Sequence, residues 1–262
     1  MIETLLSTKV FIVGAWFVVL AASERLAPAA PRPPNSDAPR LARNLGLWGA
    51  NTLMSPFITV PIGVAAASLQ LWTRPHLGWA GLVLDLLILD LWTYAWHRAN
   101  HEWPLLWRFH RVHHLDRFLD TTSAVRFHPG EVLISALARA PLIILADIQI
   151  LSLLTFDALV LGAALFHHSN LKLPPRLEAY LRHAVVTPSH HWVHHHVERA
   201  DTNSNYATLL TVWDRIFRSW SPHRRVPDMQ IGAGNEADPP LAQLALAPFL
   251  PSTRGGEGAR AS

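Results

Sequence analysis

Residues 77–101 read LGWAGLVLDLLILDLWTYAWHRANH, an apolar run that leads directly into a pair of histidines. The run from Leu77 to Trp96 is long enough to cross a bilayer as a helix. No helix-breaking residue separates it from His97, so the same helix is predicted to continue to His101. The four-residue spacing places both imidazoles on one face, where they can share a metal ion. The stretch therefore predicts a membrane helix that ends in metal ligands.

The composition of the whole chain favours the same class of protein. Hydrophobic residues make up 50% of the chain and charged residues only 16%, whereas a soluble protein carries about 25% charged residues. The absence of cysteine excludes disulfides, thiolate zinc sites, iron–sulfur clusters and a cysteine nucleophile. A formal net charge of +3 without a lysine-rich run argues against nucleic acid as a partner. Imidazole and carboxylate remain as strong metal ligands.

Three further stretches are apolar enough to enter a bilayer: Leu5–Ala22, Ala50–Trp72 and Val132–Phe166. The third is too long for one span, and Arg139, Pro141 and Asp147 interrupt it. It is predicted to form two helices that fold as a hairpin or lie partly re-entrant near the surface. We therefore predict an all-α fold, an integral membrane helical bundle of about four transmembrane or re-entrant helices with a histidine-rich cap.

The distribution of arginine predicts the orientation of this bundle. Arginines are frequent in the loop 23–49 and in the histidine region after Trp96, whereas the connection around Arg74 is short and poor in charge. Three alternating spans place both arginine-rich segments on the same side, which the positive-inside rule makes cytoplasmic. The histidines are therefore predicted to face the cytoplasm, as a cytosolic cap.

Two further histidine clusters repeat one spacing. They read His110-Arg-Val-His113-His114 and His191-Trp-Val-His194-His195. Spacings of three and four residues place the three rings of each cluster on one side of a helical turn. Because imidazole is a suitable ligand for iron as well as zinc, the repeated spacing indicates two equivalent metal half-sites.

Two other interpretations of the histidines are disfavoured. A metalloprotease helix has the pattern His-Glu-x-x-His, but Glu102 follows His101 and does not lie inside the first pair. His128-Pro-Gly-Glu131 is similar to the haem-binding segment of cytochrome b5, but that module needs a soluble domain around it, and here an apolar run begins directly afterwards. Neither a zinc protease nor a haem protein is expected.

Several motifs around these clusters resemble those of the fatty acid hydroxylase superfamily, which includes sterol desaturases and sphingolipid hydroxylases. The resemblance covers about Leu86 to Trp220, with the clusters in the family's order. The motifs that carry it beyond the clusters are Leu106-Trp-Arg-Phe-His110, residues 120–131, His168-Ser-Asn170, Thr187-Pro188, Asn205-Tyr206 and Trp213-Asp-Arg-Ile-Phe217. The sequence departs from the family at Ala207, where relatives often have glycine, and at Arg218-Ser219, where they often have Gly-Thr.

The resemblance implies a membrane-bound, non-haem di-iron oxygenase. Such an enzyme hydroxylates a C–H bond of a lipid, whether fatty acyl, sphingolipid, sterol or carotenoid-like. It uses O2 as co-substrate and two electrons from a separate donor that resembles ferredoxin or cytochrome b5. Two iron ions are the implied cofactors, and zinc can replace them in preparations.

The resemblance also implies a set of site residues. The implied metal ligands are His97, His101, His110, His113, His114, His168, His191, His194 and His195. His128, His167 and His190 are alternative ligands, and the adjacent pair His190 and His191 leaves the register of the third cluster open by one residue. Candidates for orienting the ligands or a lipid head group are Asp116, Arg126, Glu131, Asn170, Asn205 and Asp214.

The chain divides into three expected segments. Residues 1–85 hold the N-terminal transmembrane helices and a proline-rich linker, residues 86–220 form the catalytic region, and residues 221–262 form a polar tail that is predicted to be disordered. The alternatives to a hydroxylase are a lipid desaturase with the same site, a histidine-rich membrane metal transporter, and an inactive metal-bound scaffold. Transporters place ionisable ligands in mid-membrane, whereas these clusters lie at and after a helix end.

Overall fold

The computed structural model describes residues 2–34, 37–69, 71–75 and 77–250, and within them the fold is helical. Only isolated β-bridges, such as the one between Val185 and Leu210, join extended segments there. The α-helices in chain order are α1 Ile2–Leu26, α2 Asp37–Met54, α3 Thr59–Ser68, α4 Gly78–Glu102, α5 Pro104–His114, α6 Pro129–Leu145, α7 Ile150–His168, α8 Pro175–Leu181, α9 Pro188–His194, α10 Arg199–Thr202, α11 Val212–Ile216 and α12 Leu241–Leu244. Two 3₁₀ helices cover Thr121–Val125 and Ala247–Phe249. The predicted all-α class is confirmed.

The apolar stretch that opened the sequence forms one uninterrupted helix. α4 runs for 25 residues and includes both His97 and His101, as its lack of a breaker predicted. Its outer surface exposes large apolar side chains, among them Trp79, Val83 and Leu87, which suits contact with lipid. Within the described residues, α4 and α7 are long and apolar enough to cross a membrane. Ala38–Met54 and α3, bent by 45°, add a third crossing if they count as one broken span.

The long apolar stretch after residue 132 forms two helices, as predicted. The break lies at residues 146–149 between α6 and α7, while Arg139 and Pro141 lie inside α6. Asp147 has the left-handed φ of 50°, which aspartate tolerates better than most residues. Its carboxylate accepts a hydrogen bond from the backbone N–H of Arg74 at 2.9 Å. This contact joins the α6–α7 turn to the α3–α4 connection, so both turns lie at one end of the bundle.

The opposite end of the bundle carries the histidines and a buried ionic network. Arg40 on α2 forms ion pairs with Asp116 and Asp120 at the end of α5, and all three side chains are almost fully buried. Asn44, one turn further along α2, also donates to Asp116 at 3.0 Å. The predicted arginine-rich segments therefore meet at the same end of the bundle.

Part of the segment that was predicted to be a disordered tail packs against this end. Asp238 accepts a hydrogen bond from the fully buried guanidinium of Arg126 at 2.6 Å, and it also pairs with Arg43 at 2.8 Å. Leu244 is completely buried in a cluster with Leu47 and Val112. The polar composition did not reveal these long-range partners. Residues 251–262 lie outside the described residues.

Candidate metal centre

Nine histidine side chains converge into two groups at the end of α4. In each group, one ring nitrogen from every member lies within 4.8 Å of the others, which is close enough for a common metal ion. Group A consists of His97, His101, His110, His114 and His194. Group B consists of His113, His168, His191 and His195. These nine residues are the ones that the resemblance implied as ligands.

The groups are assembled from four helices. α4 supplies two members of group A, and α7 supplies His168 to group B. α5 and α9, with the residue that caps α9, divide their histidines between the two groups. His113 therefore faces group B, while its neighbour His114 faces group A. Proline at the first position of α5 and of α9 starts each helix close to its histidines.

Acceptor groups hold the Nδ1 atoms of five of the rings. A carbonyl oxygen lies 2.8 Å from Nδ1 of His97, 3.1 Å from that of His113, 2.8 Å from that of His168 and 2.7 Å from that of His194. Nδ1 of His110 lies 2.7 Å from a carboxylate oxygen of Glu131. Because a carbonyl can only accept, Nδ1 of those four rings carries the proton and donates it. Each neutral ring then presents the lone pair of its Nε2 atom.

The Nε2 atoms of group B face one another. Nε2 of His168 lies 3.0 Å from Nε2 of His113 and 3.0 Å from Nε2 of His191. The rings of His113 and His168 both have their proton on Nδ1, so two lone pairs point at each other and repel. A cation between the rings would convert this repulsion into two coordination bonds. The donor set therefore fits a metal ion.

Group A also presents unpartnered nitrogens. Nε2 of His110, both ring nitrogens of His114, and Nε2 of His194 are buried without a hydrogen-bond partner. A buried polar atom without a partner costs about 1–3 kcal/mol. A bound metal would satisfy the unprotonated nitrogens of such converging rings.

Burial keeps the rings outside the long helices neutral. Burial first, and the neighbouring rings second, lower the pKa of His113, His114, His191, His194 and His195 well below the ordinary value for histidine. At neutral pH these rings carry lone pairs, which is the form that binds metal.

The three alternative ligands lie outside both groups. His128 caps α6, where its Nδ1 accepts from the N–H of Gly130, and its Nε2 contacts the carbonyl of Ala245. His190 lies 3.2 Å from a carboxylate oxygen of Asp214. The ring of His167 lies against that of His191, with centroids 4.1 Å apart and the rings tilted by 46°, but His167 belongs to neither group.

The six candidate orienting residues occupy different places. Glu131 contacts a group A ring directly, and Arg126 contacts His113 through its backbone carbonyl. Asp214 accepts from the backbone N–H of Tyr206 at 2.8 Å, and the carbonyl of Tyr206 in turn accepts from Nδ1 of His97. The remaining three bind other parts of the chain: Asp116 binds Asn44, Asn170 binds the backbone of Ala30, and Asn205 binds the carbonyl of His190.

A cavity of about 480 Å³ adjoins the histidines. Its walls come mainly from α2, α4, α6, α7 and residues 124–127, and they are mainly apolar, with Trp96, Phe127, Ala136 and Phe156 among them. His97, His110, His113, His167, His168 and His191 also line it. A larger apolar cavity of about 630 Å³ lies between α1, α4 and α7, but none of the nine histidines lines it. The smaller cavity is the candidate for a lipid chain.

The region that holds the nine histidines matches a known protein family. The family model described as fatty acid hydroxylase matches residues 82–219, which is more than half of the chain and contains all nine histidines. The chain belongs to the fatty acid hydroxylase family. This confirms the resemblance that the motifs between residues 86 and 220 indicated. The family and the apolar helices together establish an integral membrane protein.

Several curated proteins are similar to the chain. An ornithine lipid hydroxylase of Rhizobium tropici is 33% identical over 63% of this chain and 49% of its own length. An alkylglycerol monooxygenase of Danio rerio is 31% identical over 53% of this chain and 30% of its own length. A cholesterol 25-hydroxylase of Rattus norvegicus is 25% identical over 60% of this chain and 51% of its own length. The chain thus spans between 30% and 51% of the length of these relatives, and no solved structure matches it.

The departure from the family's closing motif at Arg218-Ser219, where relatives often have Gly-Thr, has a structural explanation. Arg218 has a left-handed φ of 56°, a conformation in which glycine is unstrained. Glycine in relatives therefore suits the same turn. Ser219, where relatives often have threonine, keeps a hydroxyl that donates to Asp214 at 2.7 Å. The turn is retained although arginine occupies the glycine position.

Proposed function

We propose that the chain is a membrane-bound, non-haem di-iron oxygenase that hydroxylates a C–H bond of a lipid. The convergence of nine histidines into two groups beside an apolar cavity carries this proposal. Groups A and B would hold one iron each, and zinc could occupy the same nitrogens in a preparation. The catalytic region would comprise residues 86–220, preceded by membrane helices.

The two irons, when bound, supply the activation of dioxygen and the oxidation of the substrate carbon. One oxygen atom enters the C–H bond and the other leaves as water, so each turnover consumes two electrons and two protons. A separate donor, similar to ferredoxin or cytochrome b5, would deliver the electrons. The chain's own residues bind and orient the lipid and exclude water from the cavity.

The geometry assigns roles to particular residues. The carbonyls that accept from Nδ1 of His113 and His194 fix the direction of each ring, and Glu131 does the same for His110. The apolar walls at Trp96 and Phe156 would hold an alkyl chain beside the histidines. A fatty acyl, sphingolipid, sterol or carotenoid-like molecule offers such an apolar part.

We infer that the histidine end faces the cytoplasm. Arg40, Arg43 and Arg126 lie at this end together, in agreement with the positive-inside rule. A soluble electron donor in the cytoplasm would then have access to the metal centre. Cysteine accessibility labelling from either side of the membrane, after a cysteine is placed at the exposed Arg199, tests this orientation.

A lipid desaturase would use the same residues, because removing a second hydrogen in place of returning a hydroxyl gives a double bond. We favour hydroxylation because the similar curated proteins are named hydroxylases and monooxygenases. A product that carries oxygen distinguishes the two reactions.

Metal analysis and oxygen labelling test the proposed function. Protein expressed with abundant iron and purified without oxygen should contain about two irons per chain, and Mössbauer spectra should show non-haem iron bound by nitrogen. Reduced protein supplied with membrane lipid extract and ¹⁸O2 should yield a lipid that carries one ¹⁸O atom. Absence of iron after iron-replete expression would refute the di-iron assignment, and an unlabelled, unsaturated product would establish the desaturase.

We predict that Ala136→Trp lowers product formation by about 100-fold, the effect that a misplaced substrate can have. Ala136 lines the cavity five residues after Glu131, or about 7.5 Å along α6, so an indole there would occupy the space for the lipid. The iron content should not change, because the metal ligands are untouched. Product formation under single-turnover conditions measures the effect.

Leu137→Trp is the matched control for this variant. Leu137 is the next residue on α6, but its side chain is 53% exposed and does not line the cavity. Product formation should stay within about twofold of the unaltered protein, because surface substitutions usually have small effects. Equal losses in both variants would show that the cavity does not hold the substrate.

A further inference from the structure

A positively charged cleft lies on the surface beside group B. It has a volume of about 480 Å³ and is formed by the end of α8, α11 and the segment that follows α11. The residues that line it are Ala179, Arg182, His183, Arg215, Trp220, Pro222 and Arg224. None of these lining residues is acidic.

The indole of Trp220 forms the base on which two arginines stack. The guanidinium carbons of Arg182 and Arg215 each lie 4.7 Å from the centroid of the ring. Arg215 also donates to the carbonyl of His183 at 2.9 Å and to the carbonyl of Arg182 at 3.3 Å. Stacking and carbonyl contacts hold the two arginines in place without neutralising their charge.

The arginines of the cleft repel one another. Burial, Arg224 and Arg215 lower the pKa of Arg182, whereas the carboxylate of Glu178 acts in the opposite direction. The cleft therefore presents more positive than negative charge. A partner with an acidic surface would relieve this repulsion and would be attracted to the cleft over a distance of about one Debye length, roughly 8 Å at physiological salt.

Aromatic side chains connect the cleft to group B. The ring of Trp220 lies 4.5 Å from the ring of His190, centroid to centroid. His190 is 2% exposed and immediately precedes His191, a member of group B. A side chain at the surface and one buried ring therefore lead to a candidate metal ligand. Electron tunnelling weakens with distance, so contacting groups of this kind provide an efficient path.

We propose that the cleft is the docking surface for a small acidic one-electron carrier protein, and that Trp220 and His190 lie on the electron path to group B. The proposal rests on the proposed function, which consumes two electrons in each turnover. Two reduced carriers dock in succession, and each gives up one electron and leaves oxidised. The protons that form water come from the solvent.

An anionic lipid head group is the alternative occupant of the cleft, since Ile216 and Phe217 beside it are 58% and 45% exposed. A head group requires positive charge alone. The contact between Trp220 and His190 goes beyond that requirement, because it links the cleft to the metal centre. This contact favours an electron carrier over a lipid, and the test separates them.

The test uses the full chain, loaded with iron, in nanodiscs of neutral phosphatidylcholine. The reductants are a reduced plant-type ferredoxin, the reduced soluble domain of cytochrome b5, and dithionite. For Arg182→Gln combined with Arg215→Gln, reduction by the preferred carrier should slow by about tenfold or more and should depend less on salt. Reduction by dithionite and the iron content should not change. The exposed pair Arg176→Gln with Arg199→Gln, outside the cleft, should behave like the unaltered protein.

Trp220→Leu separates the path from the docking surface. At saturating carrier, the metal centre of this variant should be reduced slowly. Its affinity for the carrier, measured by biolayer interferometry, should fall by less than the affinity of the double arginine variant falls. Because affinity can be measured on metal-free protein, the docking surface can be tested even if the proposed function fails.

Four outcomes would overturn the proposal. The first two are failure of both carriers to bind the unaltered protein, and equal rates of reduction of the arginine variant and the unaltered protein. The third is an equal loss of reduction rate when dithionite replaces the carrier. The fourth is a reduction rate that depends on added phosphatidylglycerol and not on carrier concentration. The last outcome would assign the cleft to a lipid head group.

Discussion

Replacing His113 or His194 by alanine should remove most of the bound iron and lower product formation by at least about 100-fold. Removing only a group that hydrogen-bonds to a metal ligand can already lower metal affinity or activity by up to about 100-fold. Each substitution takes one imidazole from a different group, because His113 belongs to group B and His194 to group A. Both rings are buried and neutral, so no solvent ligand can readily replace them. Iron analysis and single-turnover product formation on the same preparations measure the two effects.

The control for these variants is His196→Ala. His196 follows the third cluster directly, but its Nδ1 contacts the carboxylate of Asp201 at 2.8 Å and it belongs to neither group. Its loss should leave the iron content unchanged. Full iron content in both His113→Ala and His194→Ala would contradict the ligand assignment and would favour the transporter or scaffold interpretation.

Arg126→Met should destabilise the protein by about 3–5 kcal/mol, the usual cost of removing one partner of a buried ion pair. The guanidinium is fully buried, and it donates to Asp238, to the side chain of Asn44 and to the carbonyl of Val112. Methionine fills part of the space but donates to none of them. Denaturant unfolding in detergent, followed by tryptophan fluorescence, measures the change in the free energy of unfolding.

Arg43→Met provides a matched comparison. Arg43 pairs with the same carboxylate of Asp238, but its side chain is 18% exposed and water can replace the lost contact. The expected loss is about 1 kcal/mol or less. Equal destabilisation by the two substitutions would show that burial of Arg126 does not determine the strength of this network.

The helical parts of the site could be predicted from the sequence, because they depend on residues that are close together in the chain. The absence of a breaker between Leu77 and His101 predicted one helix, and α4 has that form. The spacing of the clusters predicted that the three rings of each cluster lie on one side of a helical turn, whereas the structure divides each cluster between groups A and B. The spacing could not show that neighbours such as His113 and His114 would serve different groups, because that division depends on how α5 packs against α4 and α9.

Long-range polar contacts were beyond prediction from the sequence. Asp238 lies in a stretch whose composition is typical of disorder, yet its partner Arg126 is 112 residues away in the sequence. The apolar stretch Ala50–Trp72 also gives no indication of the 45° bend between α2 and α3. The composition of a segment indicates whether the segment as a whole prefers water or an apolar environment. These features depend instead on single partner residues elsewhere in the chain.

Binding of the two metal ions is expected to be coupled through α5 and α9. Because each of these short helices carries ligands for both groups, they form a common wall, and a rotation of either helix changes both groups together. The first ion to bind would fix the orientation of both helices and thereby prepare the vacant group for the second. Titration of metal-free protein with ferrous iron should therefore proceed cooperatively, with few chains that hold a single ion.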